Sequence, residues 1–384
     1  MGKKIERFLY ANKNRVIGLD IMRTIAIITV LYQHGGLLLP GNLKQQYYSI
    51  DPGIDGVSLF FVLSGFLIGQ ILLRIIQQTD FTKKDLWHFW VRRWFRTLPV
   101  YYLVLIVIVV GRLLYNYNIG AFTWRYLFFI QNFSSPQPAF YEETWSLCIE
   151  EWFYILFPMF FFMLHFLIKD GKKAFLLLVV GFAIFPFVLR LYNFEHGFHI
   201  NAWDGYYRKI VLTRLDSIMY GVLAAYLYVY QKRLWTKWKI VAFILSLLLF
   251  GFMFFYGNTF PEDAFYNCVL QYNIQSIAAL FLLPYLSTVT GVPNKYVAAG
   301  FIFISLISYS IYLLHLSIII IGFIPIVNKI FRLQMYFGNS LYVLDYVIFI
   351  LVTFISSALL YKYFEKPVTN LRDRVIHKET KKPL

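Results

Sequence analysis

The chain has 384 residues, 59% of them hydrophobic and only 15% charged. Soluble proteins carry about 25% charged residues, so this composition cannot clothe a soluble globule, and it excludes disordered, collagen-like and disulfide-stapled classes as well. The net charge of +16 is scattered between apolar runs instead of covering one polar domain, which removes nucleic acid as a partner, while Cys148 and Cys268 alone make neither a redox framework nor a metal site.

A helix crosses a bilayer with about 20 mostly apolar residues. In chain order the sequence offers ten such stretches, at 16–38, 56–77, 98–117, 145–168, 174–192, 209–230, 240–257, 270–289, 301–324 and 343–364. The predicted class is an all-α polytopic membrane protein, a single transmembrane domain over 1–384. The stretch 119–133 is too short and too punctuated to cross, and reads as an interfacial or re-entrant piece. The first apolar run follows a basic segment, but no small-residue cleavage site comes after it, so no removable signal peptide is expected. With the N-terminus placed in the cytoplasm, the inner connections hold 24 lysines and arginines and the outer ones six when Arg112, near the outer end of the third span, is counted with them. Such a bias sets orientation in multi-pass proteins and predicts both termini in the cytoplasm.

An ionisable side chain inside a span costs about 3 kcal/mol on insertion scales, so each one needs a reason. The first span carries Asp20, Arg23 and His34. From Arg23 to His34 is three helical turns with about 20° left over and about 16 Å of rise. Both side chains therefore share a face, Arg23 toward the cytoplasm and His34 near the outer end. Each alone also fits an ordinary structural pairing; the shared stripe favours a lined cavity. In the second span Ser64 has no base beside it in sequence, and Gly65 and Gly69 suit close helix packing. Before the third span, RRWFRTLP at 92–99 sets Arg93 and Arg96 at i,i+3 and Arg92 and Arg96 at i,i+4, neighbours on a helix surface. Clustered guanidiniums suit phosphate through paired hydrogen bonds; attraction to anionic lipid is the plainer alternative. Glu150 and Glu151 lie about 8 Å below the outer end of the fourth span, the expected depth of His34. A carboxylate there would orient an imidazole acting as a base, with pairing to Arg214 as the structural alternative. Arg214 and Asp216 point to different sides of their helix, so their partners are expected elsewhere. His315 reads as a satisfied packing residue. P-loop, nucleophile-elbow and zincin spacings do not occur.

Together these pieces resemble the membrane-bound acyltransferase 3 family, which includes bacterial O-acetyltransferases of O-antigen and other surface polysaccharides. The matching pieces are Arg23 and His34 with ten residues between them, GVSLFFVLSGFLI at 56–68, Arg93-x-x-Arg96-x-x-Pro99, TWSLCIEEWFYILFP at 144–158, Arg214-x-Asp216, SYSIYLLHLS at 308–317 and YKYFEKPVTNLR at 361–372. They fall in order across almost the whole chain. Ile21 and Met22 depart from the small or Gly-Leu pair usual before the arginine, and Ser58 stands where an aspartate is common. The resemblance implies a multi-pass enzyme of the bacterial plasma membrane, surrounded by membrane lipids. Its co-substrate would be cytoplasmic acyl-CoA (acetyl-CoA), with no permanently bound cofactor. Its acceptor would be a carbohydrate hydroxyl, on a surface polysaccharide or a lipid-linked sugar.

It also implies His34, Arg23, Arg93 and Arg96 as functional residues. In the expected chemistry Arg92, Arg93 and Arg96 hold the donor's phosphates, and Arg23 holds its arm or stabilises developing negative charge. His34 takes the acceptor's proton or carries the acyl group itself, and Glu150 or Glu151 orients the imidazole or binds the sugar. The chain ends soon after the tenth span, so no appended SGNH hydrolase-like domain is expected. A transporter or flippase for a glycolipid or small solute is the competing class, since polar residues at matched depths also line transport paths.

Overall fold

A computed structural model describes residues 15–50, 53–78, 82–115, 119–120, 122–168 and 170–372. Ten long helices follow the apolar stretches in order: α1 (Ile17–Gly35), α2 (Gly56–Gln78), α3 (Lys83–Leu114), α4 (Trp145–Ile168), α5 (Gly171–Glu195), α6 (Leu215–Tyr230), α7 (Lys239–Thr259), α8 (Gln271–Leu286), α9 (Lys295–Leu314) and α10 (Leu341–Leu360). Among the described residues nine helical stretches are long and apolar enough to cross a bilayer; α6 is the shorter, apolar tenth. No strand occurs among the described residues, and the protein is an all-α polytopic membrane protein. Residues 1–14 and 373–384, which carry much of the charge behind the expected orientation of the termini, lie outside the described residues.

Several boundaries differ from the sequence reading, those at the starts of α3 and α6 for a visible reason. α3 starts at Lys83, well before 98, because Thr82 and Asp85 form a reciprocal cap that satisfies the free N–H groups of its first turn. The arginine cluster, expected on a helix surface ahead of the third span, is therefore continuous with that span. α6 starts at Leu215 instead of 209, because Val211 and Leu212 donate their backbone N–H groups to Asn132 and Phe133. Among the described residues of 119–133 the one helical element is the short 3-10 turn Trp124–Phe128.

α2 lies at the centre, packed on α6, α1 and α8. Its closest approach is to α6, where two glycines face opposite backbones. A Cβ at Gly65 would sit 2.0 Å from the Ile218 carbonyl oxygen, and one at Gly221 2.0 Å from that of Val62. Gly221→Ala is expected to force the two helices apart, at a cost of about 1–3 kcal/mol or more. A clear drop in the midpoint of thermal unfolding in detergent checks this; an unchanged midpoint contradicts the packing. α7, among the least buried helices, presents Ile240, Ile244, Leu248 and Phe255 outward, a surface that suits lipid and not water.

A buried ionic network joins α5, α6, α8 and the start of α2. Arg190 and Asp216, neither exposed, pair at 2.7 Å, and Asn273 also binds Asp216 at 3.3 Å. Arg214 donates to Ser58 at 3.0 Å and lies 3.7 Å from Asp55. The partner of Arg214 is thus Asp55, not Glu150 or Glu151. Burial alone would raise the Asp55 carboxyl, but the Arg208 and Arg214 guanidiniums and the Ser58 hydrogen bonds outweigh it and hold it below the ordinary carboxylate range. A depressed carboxylate contributes stability at neutral pH that is lost only as pH falls through its lowered value. Asp55→Asn leaves Arg214 buried against a neutral amide and is expected to destabilise the protein by about 3–5 kcal/mol. The melting temperature measures this; a wild-type value would show that the network does not depend on the Asp55 charge.

Candidate active site

α1 and α9 run side by side and are tied at both ends. At one end, the inner one in the expected orientation, Arg23 Nη1 donates to Ser305 Oγ at 3.2 Å. At the other, the outer end in that orientation, His34 Nδ1 and His315 Nε2 are 2.9 Å apart. The two intervals span eleven and ten residues, rises of about 16 and 15 Å. The two helices are therefore parallel and nearly in register. Tyr309 of α9 extends this wall to α3 by donating to the Thr97 carbonyl at 2.8 Å.

At the inner end of the wall, Asp20 accepts two hydrogen bonds from Arg15, at 2.6 and 2.7 Å, and one from Ser305 at 2.6 Å. Arg23 is 4.0 Å from that carboxylate. Because Asp20 is largely claimed by Arg15 and Ser305, it neutralises Arg23 only in part. Arg23, Arg93 and Arg96 line one cavity with Ser64, Glu150 and Tyr154. Three guanidiniums and one carboxylate give its wall a positive excess. It encloses a volume of about 90 Å³, room for several water molecules.

The glutamates are used differently from the sequence expectation. Glu150 accepts from Ser64 at 2.9 Å and from Tyr154 at 2.9 Å, and Arg93 lies over the Tyr154 ring, 4.8 Å from its centroid. Ser64 thus does have a carboxylate beside it, supplied by another helix. Glu151 is buried behind the wall, accepting from Thr97 at 2.7 Å. Neither glutamate hydrogen-bonds His34 in this structure. The reason is register: residue Ser146, a turn nearer the outside, is the one that meets the tyrosine beside the histidines. Arg92 points outward and is exposed, and the cavity wall does not include it. One step along a helix rotates a side chain by about 100°, so Arg92 and Arg93 cannot both face the cavity.

Tyr312 closes the outer end of the cavity. Its hydroxyl donates to the Glu143 carbonyl at 2.8 Å and pairs with the Ser146 hydroxyl at 2.7 Å. Its ring centroid lies 5.7 Å from that of His315, so the cavity and the histidine pair share this tyrosine as a partition. His315 is fully buried and His34 partly so. His315, read from sequence as a packing residue, is therefore in direct contact with the imidazole at the centre of the expected chemistry. The carboxylate on this side of α4 is Glu143, held by the Ser317 backbone N–H at 3.1 Å and by the Ser317 hydroxyl. Sequence reasoning missed both His315 and Glu143. The near-equal spacings from Arg23 to His34 and from Ser305 to His315 were the available signal, but only a parallel neighbour makes them meaningful.

The arrangement has three parts: guanidiniums that suit an anion, a cavity lined mostly by apolar side chains, and an imidazole pair on the far side of Tyr312. Comparison with known proteins identifies the family of the chain. The profile of the family described as "Acyltransferase domain" matches residues 16–362. A Staphylococcus aureus (strain COL) protein named "Putative O-acetyltransferase" is 28% identical over 395 residues, covering 95% of this chain and 59% of its own length. O-acetyltransferase OatA of Staphylococcus aureus (strain NCTC 8325 / PS 47) is 25% identical over 374 residues, covering 91% of this chain and 57% of its own. This chain therefore spans a little under three fifths of the curated relatives it matches. No solved structure matches.

Proposed function

Because this chain belongs to the acyltransferase 3 family, with the family profile covering residues 16–362, we propose that it is a membrane O-acetyltransferase. It takes an acetyl group from acetyl-CoA on the cytoplasmic side and gives it to a carbohydrate hydroxyl, on a surface polysaccharide or a lipid-linked sugar. The observation that carries this reading is the cavity itself. Arg23, Arg93 and Arg96 line it, and it ends at a tyrosine whose ring lies against the ring of His315.

In this reading the nucleotide stays at the mouth of the cavity. Its phosphates meet the Arg93 and Arg96 guanidiniums, which offer charge-assisted hydrogen bonds. The arm enters the passage, and its thioester arrives at the Tyr312 end. About 16 Å separates the level of Arg23 from that of His34, a distance of the order of an extended arm. His34 removes the proton from the acceptor hydroxyl as its oxygen attacks the thioester carbonyl carbon. The carbon–sulfur bond breaks, the proton passes to the departing sulfur, and the products are the acetyl ester and CoA thiol. Arg23, only partly neutralised by Asp20, remains available to the arm. Glu150, held by Ser64 and Tyr154, presents a polar wall to it. The charge bias of the connections supports placement in a bacterial plasma membrane with both termini in the cytoplasm.

The test is release of CoA thiol by protein in lipid nanodiscs, given acetyl-CoA and purified surface polysaccharide, together with ester-linked acetyl on the glycan. Acetyl-CoA consumption without acetyl on any carbohydrate would refute the acceptor class. No consumption with any acceptor would refute the enzyme.

A further inference from the structure

The His34–His315 contact also contains information about protons. Carbonyl oxygens only accept hydrogen bonds. His315 Nδ1 lies 2.8 Å from the Tyr312 carbonyl oxygen and 3.2 Å from that of Ile311, so the hydrogen of His315 must be on Nδ1. The ring is fully buried, and among the described residues no carboxylate hydrogen-bonds it. A buried cation without a partner is costly, so the ring is the neutral one, with a single N–H. Its Nε2 then carries a lone pair, and that lone pair faces His34 Nδ1 at 2.9 Å. The hydrogen in this contact therefore belongs to His34. A neutral His34 with its hydrogen on Nδ1 has a bare Nε2.

We infer that His315 is a positioning residue that locks His34 in the Nδ1–H tautomer and so leaves His34 Nε2 as the free base. This rests on the reading of His34 as the base and specifies which nitrogen acts and what makes it act. The local backbone supports the arrangement. α9 gives way at His315 itself to the wider π-helical turn His315–Phe323, a distortion common at functional sites. The imidazole there folds back onto the two carbonyls of the preceding turn. No charge on the partner is needed to fix the tautomer. The neutral acceptor also remains in place when His34 Nε2 gains a proton, so the imidazolium keeps a hydrogen bond throughout the step.

The experiment compares His315→Phe and His315→Gln in nanodiscs with acetyl-CoA and purified surface polysaccharide. Phenylalanine keeps a flat ring but offers no acceptor. Glutamine places an amide oxygen at about the reach of Nε2. His315→Phe is expected to lower kcat by on the order of 10²- to 10⁴-fold, the range of a general base, with the acetyl-CoA KM unchanged. His315→Gln is expected to recover at least tenfold of that loss. In the unmodified protein, nitrogen-15 NMR of labelled histidine is expected to show His34 as the Nδ1–H tautomer, a result independent of how any variant folds. A His34 found as the Nε2–H tautomer overturns the inference, as does a folded His315→Phe protein with wild-type kcat. A folded His315→Gln no better than His315→Phe also overturns it, because the role would then be packing. If His34→Ala is inactive while His315→Phe is fully active, the inference alone fails. If both are fully active, the reading of His34 as the base fails with it.

Discussion

His34→Ala is expected to abolish release of CoA thiol while the protein still folds. Removing a general base costs on the order of 10²- to 10⁴-fold in rate, and here the imidazole is also the only group of the outer pair that is not fully buried. The structural cost is smaller. The substitution leaves His315 Nε2 without its partner, about 1–3 kcal/mol for a buried acceptor. It leaves the inner tie between Arg23 and Ser305 intact. The melting temperature should therefore fall modestly and the acetyl-CoA KM should stay near wild type, because the donor's charged end is bound some 16 Å away. The kcat from initial rates and the melting curve together separate lost chemistry from lost fold. Wild-type turnover by a folded His34→Ala protein would refute the mechanism.

The second large effect falls on donor binding. Arg93→Ala removes a guanidinium that lines the cavity and lies over the Tyr154 ring. A hydrogen bond from a charged group contributes about 1.5–3 kcal/mol, and about 1.4 kcal/mol is tenfold in affinity. The acetyl-CoA KM is therefore expected to rise on the order of 10- to 100-fold, with a smaller change in kcat. Arg92→Ala, on the exposed side of the same helix turn, should change KM far less, and Lys83→Ala at the helix start no more than that. The comparison works because all three variants lose one positive charge near the inner face. Equal increases in KM for the three would mean that the cluster attracts anions only through bulk charge and forms no defined phosphate site.

The membrane class and the order of the helices were legible in the sequence, because lipid imposes long apolar runs that periodicity and length reveal directly. Arg23 was also legible, since a charge inside a span has to face something other than lipid, and Arg93 and Arg96 through their spacing on one helix surface. What the sequence could not supply was register between helices. Counting along α4 put Glu150 and Glu151 at the depth of His34, yet the actual sliding of α4 against α9 brings Ser146 and Glu143 to that level. Arg92 was grouped with its neighbours by spacing, but the face of α3 that meets the cavity excludes it. His315 looked like a packing residue because its partner is 281 positions away, and nothing local announces a contact at that separation. The base beside Ser64 was hidden for the same reason: Glu150 comes from another helix, 86 positions on.

The central claim is that a donor held by the arginines of α1 and α3 reaches past the Tyr312 partition to the imidazole of His34. A cryo-EM map of the protein in nanodiscs, bound to an acetyl-CoA analogue whose thioester is replaced by a stable thioether, tests it most directly. The account predicts phosphate density against Arg93 and Arg96, the arm passing Arg23 and Glu150, and the thioether carbon beside Tyr312 within reach of His34. An analogue bound elsewhere, or an arm stopped short with Tyr312 and Ser146 sealing it from the histidines, would contradict it.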